Sequence, residues 1–153
     1  MFTWRACRDS LPTSTNLARR GVNIQGACPW CSLEGKDLLH SLLRCHFARL
    51  VWALSSIPCA ILVYDHSSPE LWFRGLARSL DGPDFSHVLL CCWFLWGARN
   101  RKLFENSSLS APAIMDFVRS WEMALLQNDA RLQSSDFPTK TRHGFPFNSV
   151  GIG

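Results

Sequence analysis

Between Asp37 and Ser55 the apolar residues Leu39, Leu43, Phe47, Leu50 and Leu54 recur at steps of four, four, three and four. That is the period of one α-helical face, and Ile57-Pro58 closes it. Before it, Phe2 to Ser10 reads as one or two helical turns broken by Leu11-Pro12-Thr13, and Thr13 or Ser14 then caps a short helix through Arg20, with Gly21 placed to end it. Residues 23–36 have neither period and read as a loop. Ala60 to Tyr64 is a short apolar run, read as a strand or a tight crossing. Ser68-Pro69-Glu70 is a helix start, the helix carries Leu71, Trp72, Leu76 and Leu80, and Asp81-Gly82-Pro83 stops it. Phe85 to Glu105 predicts the longest helix, apolar nearly all round at first and basic at its end. Ser110 to Pro112 opens a last one, with Ile114, Phe117, Val118, Trp121 and Leu125 facing inward. After about Asp129 the pattern fades into a flexible tail.

These elements predict an all-α fold: a small helical domain with a stapled loop-helix near the N-terminus and a disordered C-terminal tail. We divide the chain into a first unit at 2–56, a helical extension packed on it at 57–128, and the tail at 129–153. Apolar residues make up 47% and charged residues 18% of the 153, which suits an ordinary folded domain rather than a disordered chain. The net charge of +4 is concentrated. Residues 1–52 hold seven Arg/Lys against three Asp/Glu, and the remainder holds nine of each. An anionic partner is therefore directed to the first third. The longest strongly apolar run, Val88 to Gly97, is ten residues, about half of what crosses a bilayer. The N-terminus lacks the apolar core of a signal peptide, so the expected location is intracellular, nucleus or cytoplasm, and not secreted. Seven cysteines is an odd number and forbids a complete disulfide framework, which leaves a metal site as the better use for some of them.

That site is Cys28-Pro29-Trp30-Cys31, then His40 and Cys45, a C-x2-C-x8-H-x4-C spacing. Three thiolates and an imidazole make the closed shell that one structural zinc ion prefers. Residues five apart on an ideal helix diverge by about 140°. His40 and Cys45 therefore cannot converge from a regular helix, and His40 is expected in the turn before it or in a distorted first turn. His46 is the rival to either. Cys7, Cys59, Cys91 and Cys92 have no partners at ligand spacing and read as small buried hydrophobes.

Leu11-Pro12-Thr13, Asn16-Leu17 with Arg19-Arg20-Gly21, Cys28-Pro29-Trp30-Cys31, His40, Cys45 and Phe47-Ala48 through Trp52 together resemble the zinc-binding domain of plant non-LTR (LINE-type) retrotransposon reverse transcriptases. Trp93-Phe94-Leu95-Trp96, Arg99-Asn100 and Phe104-Glu105 are similar to a helix that often follows that domain. Gly35 stands where a second acid is common, and Leu42-Leu43 where an aromatic is usual. No carboxylate cluster able to hold two Mg²⁺ ions is visible, and the acids are scattered singly (Asp9, Asp37, Asp65, Asp81, Asp84, Asp116). The resemblance therefore implies a non-catalytic zinc module derived from a retroelement polyprotein, without its polymerase and RNase H domains.

Two functions remain open. In the first, Arg5, Arg8, Arg19, Arg20 and Arg44 meet the phosphates of RNA or DNA around the zinc, with Trp30 either stacking on a base or covering the site. Arg49 joins Arg44 on the solvated helix face, and Trp4 is assigned to the core. In the second, the module is a zinc-stapled interaction or spacer domain for other parts of the polyprotein, docking through Val88 to Trp96, unless that helix is the buried centre of the domain. Cys31→Ser is expected to unfold residues 22–52 and to affect the helices after Ser68 less.

Overall fold

A computed structural model of the chain describes residues 1–22, 27–32, 37–58 and 67–134, with side chains through residue 131. The described residues are helical, without a strand: α1 (Phe2–Cys7), α2 (Ser14–Arg19), a π-type turn (His40–Arg44), α3 (His46–Leu54), α4 (Pro69–Ser79), α5 (Gly82–Phe104) and α6 (Ala111–Ser134). The apolar run at 60–64 lies outside the described residues, as do residues 135–153 of the expected tail.

Local chemistry explains each boundary. Thr13 caps α2, its hydroxyl accepting from Asn16 N–H, and Gly21 at φ +77° ends it. There Val22 N–H reaches Leu17 C=O at 3.0 Å and Gly21 N–H reaches Ala18 C=O at 3.0 Å, a left-handed cap in which glycine costs no Cβ strain. The Asn16 side chain is buried and donates to the carbonyls of Asp9 and Leu11 at 2.6 and 3.0 Å, locking α1 against α2. Ser68 caps α4 with Pro69 at its first position. Asp81-Gly82-Pro83 is the start of α5 as much as the end of α4: Asp81 caps α5 by accepting from Asp84 N–H, so the two helices meet with no intervening loop. α6 runs to Ser134, five residues past the point where the sequence pattern fades.

One core extends from Ala6 to Val118. Helix α5 is its centre, burying Val88, Cys91, Cys92, Leu95, Trp96 and Ala98, with α6 against it through Ile114, Met115 and Val118. The stretch offered as a docking face is thus chiefly interior. The inward face expected for α6 weakens along the helix. Phe117 stacks on Phe94 and Trp121 meets Trp93 edge-on, yet both stay about half exposed, and Leu125 is also exposed. On α4 the stripe is Trp72, Phe73 and Leu76, while Leu71 faces solvent. Across the helix junction the Ser55 hydroxyl meets His87 Nε2 at 3.1 Å and His87 Nδ1 meets the Glu122 carboxylate, a polar tie joining α3, α5 and α6. Among the described residues no helix is long and apolar enough to cross a membrane.

Candidate metal centre

The largest departure from regular helix falls on the second half of the C-x2-C-x8-H-x4-C spacing. Leu38 and Leu39 begin a helix, but from His40 the chain widens into a π-type turn closed by Cys45 N–H on His40 C=O at 2.8 Å. An i→i+5 bond brings residue 45 back above residue 40, where an α-helix would turn it away. This is the distorted turn that convergence of His40 and Cys45 requires. Cys45 then adopts an extended backbone (φ −61°, ψ 139°) and α3 starts afresh at His46.

That break corrects the continuous helix expected from Asp37 to Ser55. With the phase reset at Cys45, Leu50 and Leu54 are 46% and 45% exposed, and Ala48, Val51 and Trp52 face the core in their place. Widening also frees carbonyls. Trp52 Nε1–H donates to Leu42 C=O at 2.6 Å in the interior, which accounts physically for the tryptophan ten residues on. Asp37 opens the turn: its carboxylate accepts from His40 N–H at 2.6 Å and pairs with both oxygens to Arg44 at 2.9 and 3.1 Å.

Cys28, Cys31, His40 and Cys45 offer four donor atoms that all lie within 4.8 Å of one another. Cys28 Sγ and Cys45 Sγ are 3.6 Å apart, and Cys31 Sγ and His40 Nε2 are 3.4 Å apart. Zinc at tetrahedral angles, with Zn–S of about 2.3 Å and Zn–N of about 2.0–2.1 Å, sets ligand edges of about 3.8 Å (S to S) and 3.6 Å (S to N). Both measured edges fall within about 0.2 Å of those values. The donor set and its size thus fit one zinc ion held by two thiols of the Cys28–Cys31 turn, His40 and Cys45. His46 is exposed and stands outside the cluster.

The electrostatics favour a metal. Burial opposes the Cys28 thiolate, but the N–H groups of Trp30 and Cys31 and the thiols of Cys31 and Cys45 outweigh it and set its pKa below the ordinary thiol value. Burial pushes Cys45 up to about 12, against the pull of the Phe47 and Ala48 amides at the start of α3. Metal ligation requires these thiols to lose their protons, so zinc binding should release protons and weaken as pH falls. Cys91 and Cys92 are fully buried thiols, Cys7 is half-buried, and Cys59 lies outside the described residues.

The other candidate residues divide. Arg8, Arg19 and Arg44 line one cavity of about 560 Å³, with Asp9, Asp37 and the Ser67–Glu70 start of α4 on its walls. Arg5 and Arg20 are exposed but do not line it. Trp30 is half-buried and stacks on Phe47, centroids 4.2 Å apart and planes 12° apart, so it covers the first turn of α3. Trp4, assigned to the core, is instead 63% exposed, with the Arg8 guanidinium 5.8 Å from its ring centre; α1 is too short to bury both its faces. Asp37, one of the scattered acids, proves to organise the ligand turn, a role visible only once the π-type turn is seen.

Nothing among curated proteins or solved structures matches the chain. Residues 1–52, the first third of the chain with all four donors inside it, match the family described as zinc-binding in reverse transcriptase.

Proposed function

We propose that this protein is a non-catalytic module that binds RNA or DNA through arginines organised by a structural zinc ion. The observation that carries the reading is the cavity lined by Arg8, Arg19 and Arg44. Its link to the metal centre runs through Asp37, which holds the His40 amide with one oxygen and Arg44 with both. Arg19 and Arg44 are paired with Asp9 and Asp37 at exposed positions. Exposed ion pairs are worth only about 0–1 kcal/mol, so a phosphate can take the place of either carboxylate at little cost. Zinc supplies no reaction here: with four protein donors it has no open position for water, and its part is to fix the turn.

The test is fluorescence anisotropy of a labelled single-stranded RNA or DNA titrated at about 50 and 200 mM salt, with wild type and the triple variant Arg8→Ala/Arg19→Ala/Arg44→Ala. Three lost phosphate contacts should flatten the log–log salt slope by about 2 and weaken binding to both nucleic acids. A triple variant with the wild-type slope refutes the reading. Derivation from a plant retroelement is part of the proposal, supported by the motif order from Leu11 to Trp52. A specific observation favours the second reading, docking of another domain: Trp93, Trp121, Leu125 and Leu126 are exposed along α5 and α6, beside a groove of about 580 Å³. Association through that face would be nearly insensitive to salt.

A further inference from the structure

We propose that Ser55 is a nucleophilic serine, activated by His87 and Glu122, that accepts an acyl group from an activated ester or thioester. None of the three lies in residues 1–52, in the cysteine–histidine cluster or on the arginine-lined cavity, so this site is separate from both.

The geometry is that of a Ser–His–carboxylate triad. Ser55 ends α3 in extended backbone and is half-buried, between the exposed Leu54 and Ser56. Its Oγ is 3.1 Å from His87 Nε2, and His87 Nδ1 is 2.5 Å from the Glu122 carboxylate. An ionised carboxylate only accepts, so Nδ1 carries the hydrogen, and the neutral ring leaves Nε2 to accept from the Ser55 O–H. Ile57 N–H donates to the same Oγ at 3.0 Å, which leaves the hydroxyl hydrogen for His87. The His87 side chain is 8% exposed, which holds the base away from competing water, whereas Ser55 stays within reach of solvent. In the transfer, Oγ bonds to the acyl carbon while its proton passes to His87 Nε2. The bond from that carbon to the leaving oxygen or sulfur then breaks, and His87 returns the proton to the leaving group. Ile57 N–H is engaged with Oγ and not with the carbonyl oxygen, so the leaving group must itself be good, an aryloxide or a thiolate. Each chain takes one acyl group: the reaction is acceptance, not turnover.

The experiment uses the full chain. It is incubated with p-nitrophenyl acetate, and the acetylated position is located by peptide mass spectrometry, with the exposed neighbour Ser56 as internal reference. Acetyl should appear on Ser55 and not on Ser56. His87→Gln should slow acetylation of Ser55 by at least about 100-fold, the lower end of what a general base contributes. Glu122→Gln, whose amide can donate to Nδ1 and so reverse the tautomer, should slow it comparably, while Glu122→Asp retains most of the rate. Circular dichroism separates these losses from unfolding, and should His87→Gln not fold, Glu122→Gln makes the same test from the more exposed end of the triad. Acetyl on Ser56 as readily as on Ser55, or on neither, overturns the proposal. So does a Ser55 rate unchanged in Glu122→Gln, which would leave the three residues a structural tie. These outcomes stand whether or not the chain binds zinc or nucleic acid.

Discussion

Removing the metal, by chelation or by Cys31→Ser, is expected to loosen the whole helical unit and not only residues 22–52. The ligand-bearing turn is embedded in the core: Leu38, Leu39, Leu42 and Leu43 are at most 7% exposed, and Cys45 is fully buried. Both the turn and α3 lie against α5 or α6, and one apolar cluster joins Cys28 and Cys45 to Leu95 and Val118. Structural zinc contributes about 10–16 kcal/mol to folding in isolated finger peptides, comparable to the roughly 5–15 kcal/mol net stability of a domain. Cys31 is one of the four clustered donors, so its loss should exceed the 10–100-fold effect of outer-shell partners, more than about 3 kcal/mol. In a chain of this size that lowers Tm by roughly 6–12 °C. Circular dichroism melts with and without chelator give the magnitude, and hydrogen exchange read by mass spectrometry locates it. Amides in the middle of α5, around Cys91 and Leu95, should lose protection on zinc removal. Unchanged protection there, with loss confined to the segment before residue 56, would refute the argument from a continuous core and restore the two-unit division read from the sequence.

Further outcomes follow from individual contacts. Trp52→Phe leaves the buried Leu42 carbonyl without its donor and should cost about 1–3 kcal/mol in urea unfolding, with zinc still bound. His46→Ala should keep one zinc per chain by elemental analysis, because His46 lies outside the cluster; loss of the metal would reassign the ligands. His87→Leu breaks the tie between Ser55 and Glu122 and should lower Tm without altering zinc content, whereas an unchanged Tm would make the tie energetically idle. Burial pushes Cys91 up to about 12 and Cys92 well above its ordinary value of 9.0. The unfolded chain releases those protons first, so the stability they contribute is complete below pH 9 and falls as pH rises toward 12, by up to about 1.4 kcal/mol per unit for each thiol. Urea midpoints at about pH 8 and 10 check the sign, and Cys91→Ala should flatten the decline.

Much of this architecture is legible in the sequence because its determinants are local. Ser68-Pro69-Glu70, Thr13 with Gly21, and the apolar stripes of α5 and the first half of α6 each encode their element within a few residues. The metal donors are legible for a similar reason: soft ligands at closing distances leave few alternatives. What stays hidden is set by partners far away in sequence. Trp4 looks like core material because it is large and apolar, but its exposure depends on how little of α1 the rest of the fold covers. Arg99 looks like a helix-end charge, yet it is buried with its guanidinium 5.0 Å from the centre of the Trp96 ring.

The register of α3 shows how chemistry can override periodicity. A regular helix through Leu39, Leu43, Phe47, Leu50 and Leu54 would bury all five, but it would point His40 and Cys45 in different directions. The chain resolves the conflict in favour of the donors. One widened turn aligns them, Cys45 leaves the helix, and the stripe resumes as Ala48, Val51 and Trp52, with Leu50 and Leu54 exposed. Leaving two leucines half in water forfeits part of the about 1.5–3 kcal/mol that full burial of each would give. A bound zinc, at about 10–16 kcal/mol in finger peptides, outweighs that loss several times over. The π-type turn is thus stable as long as the metal repays it, and a chain that had lost its metal would have reason to slide back toward regular helix. Residues 40–54 are therefore where metal-free and metal-bound forms should differ most in structure.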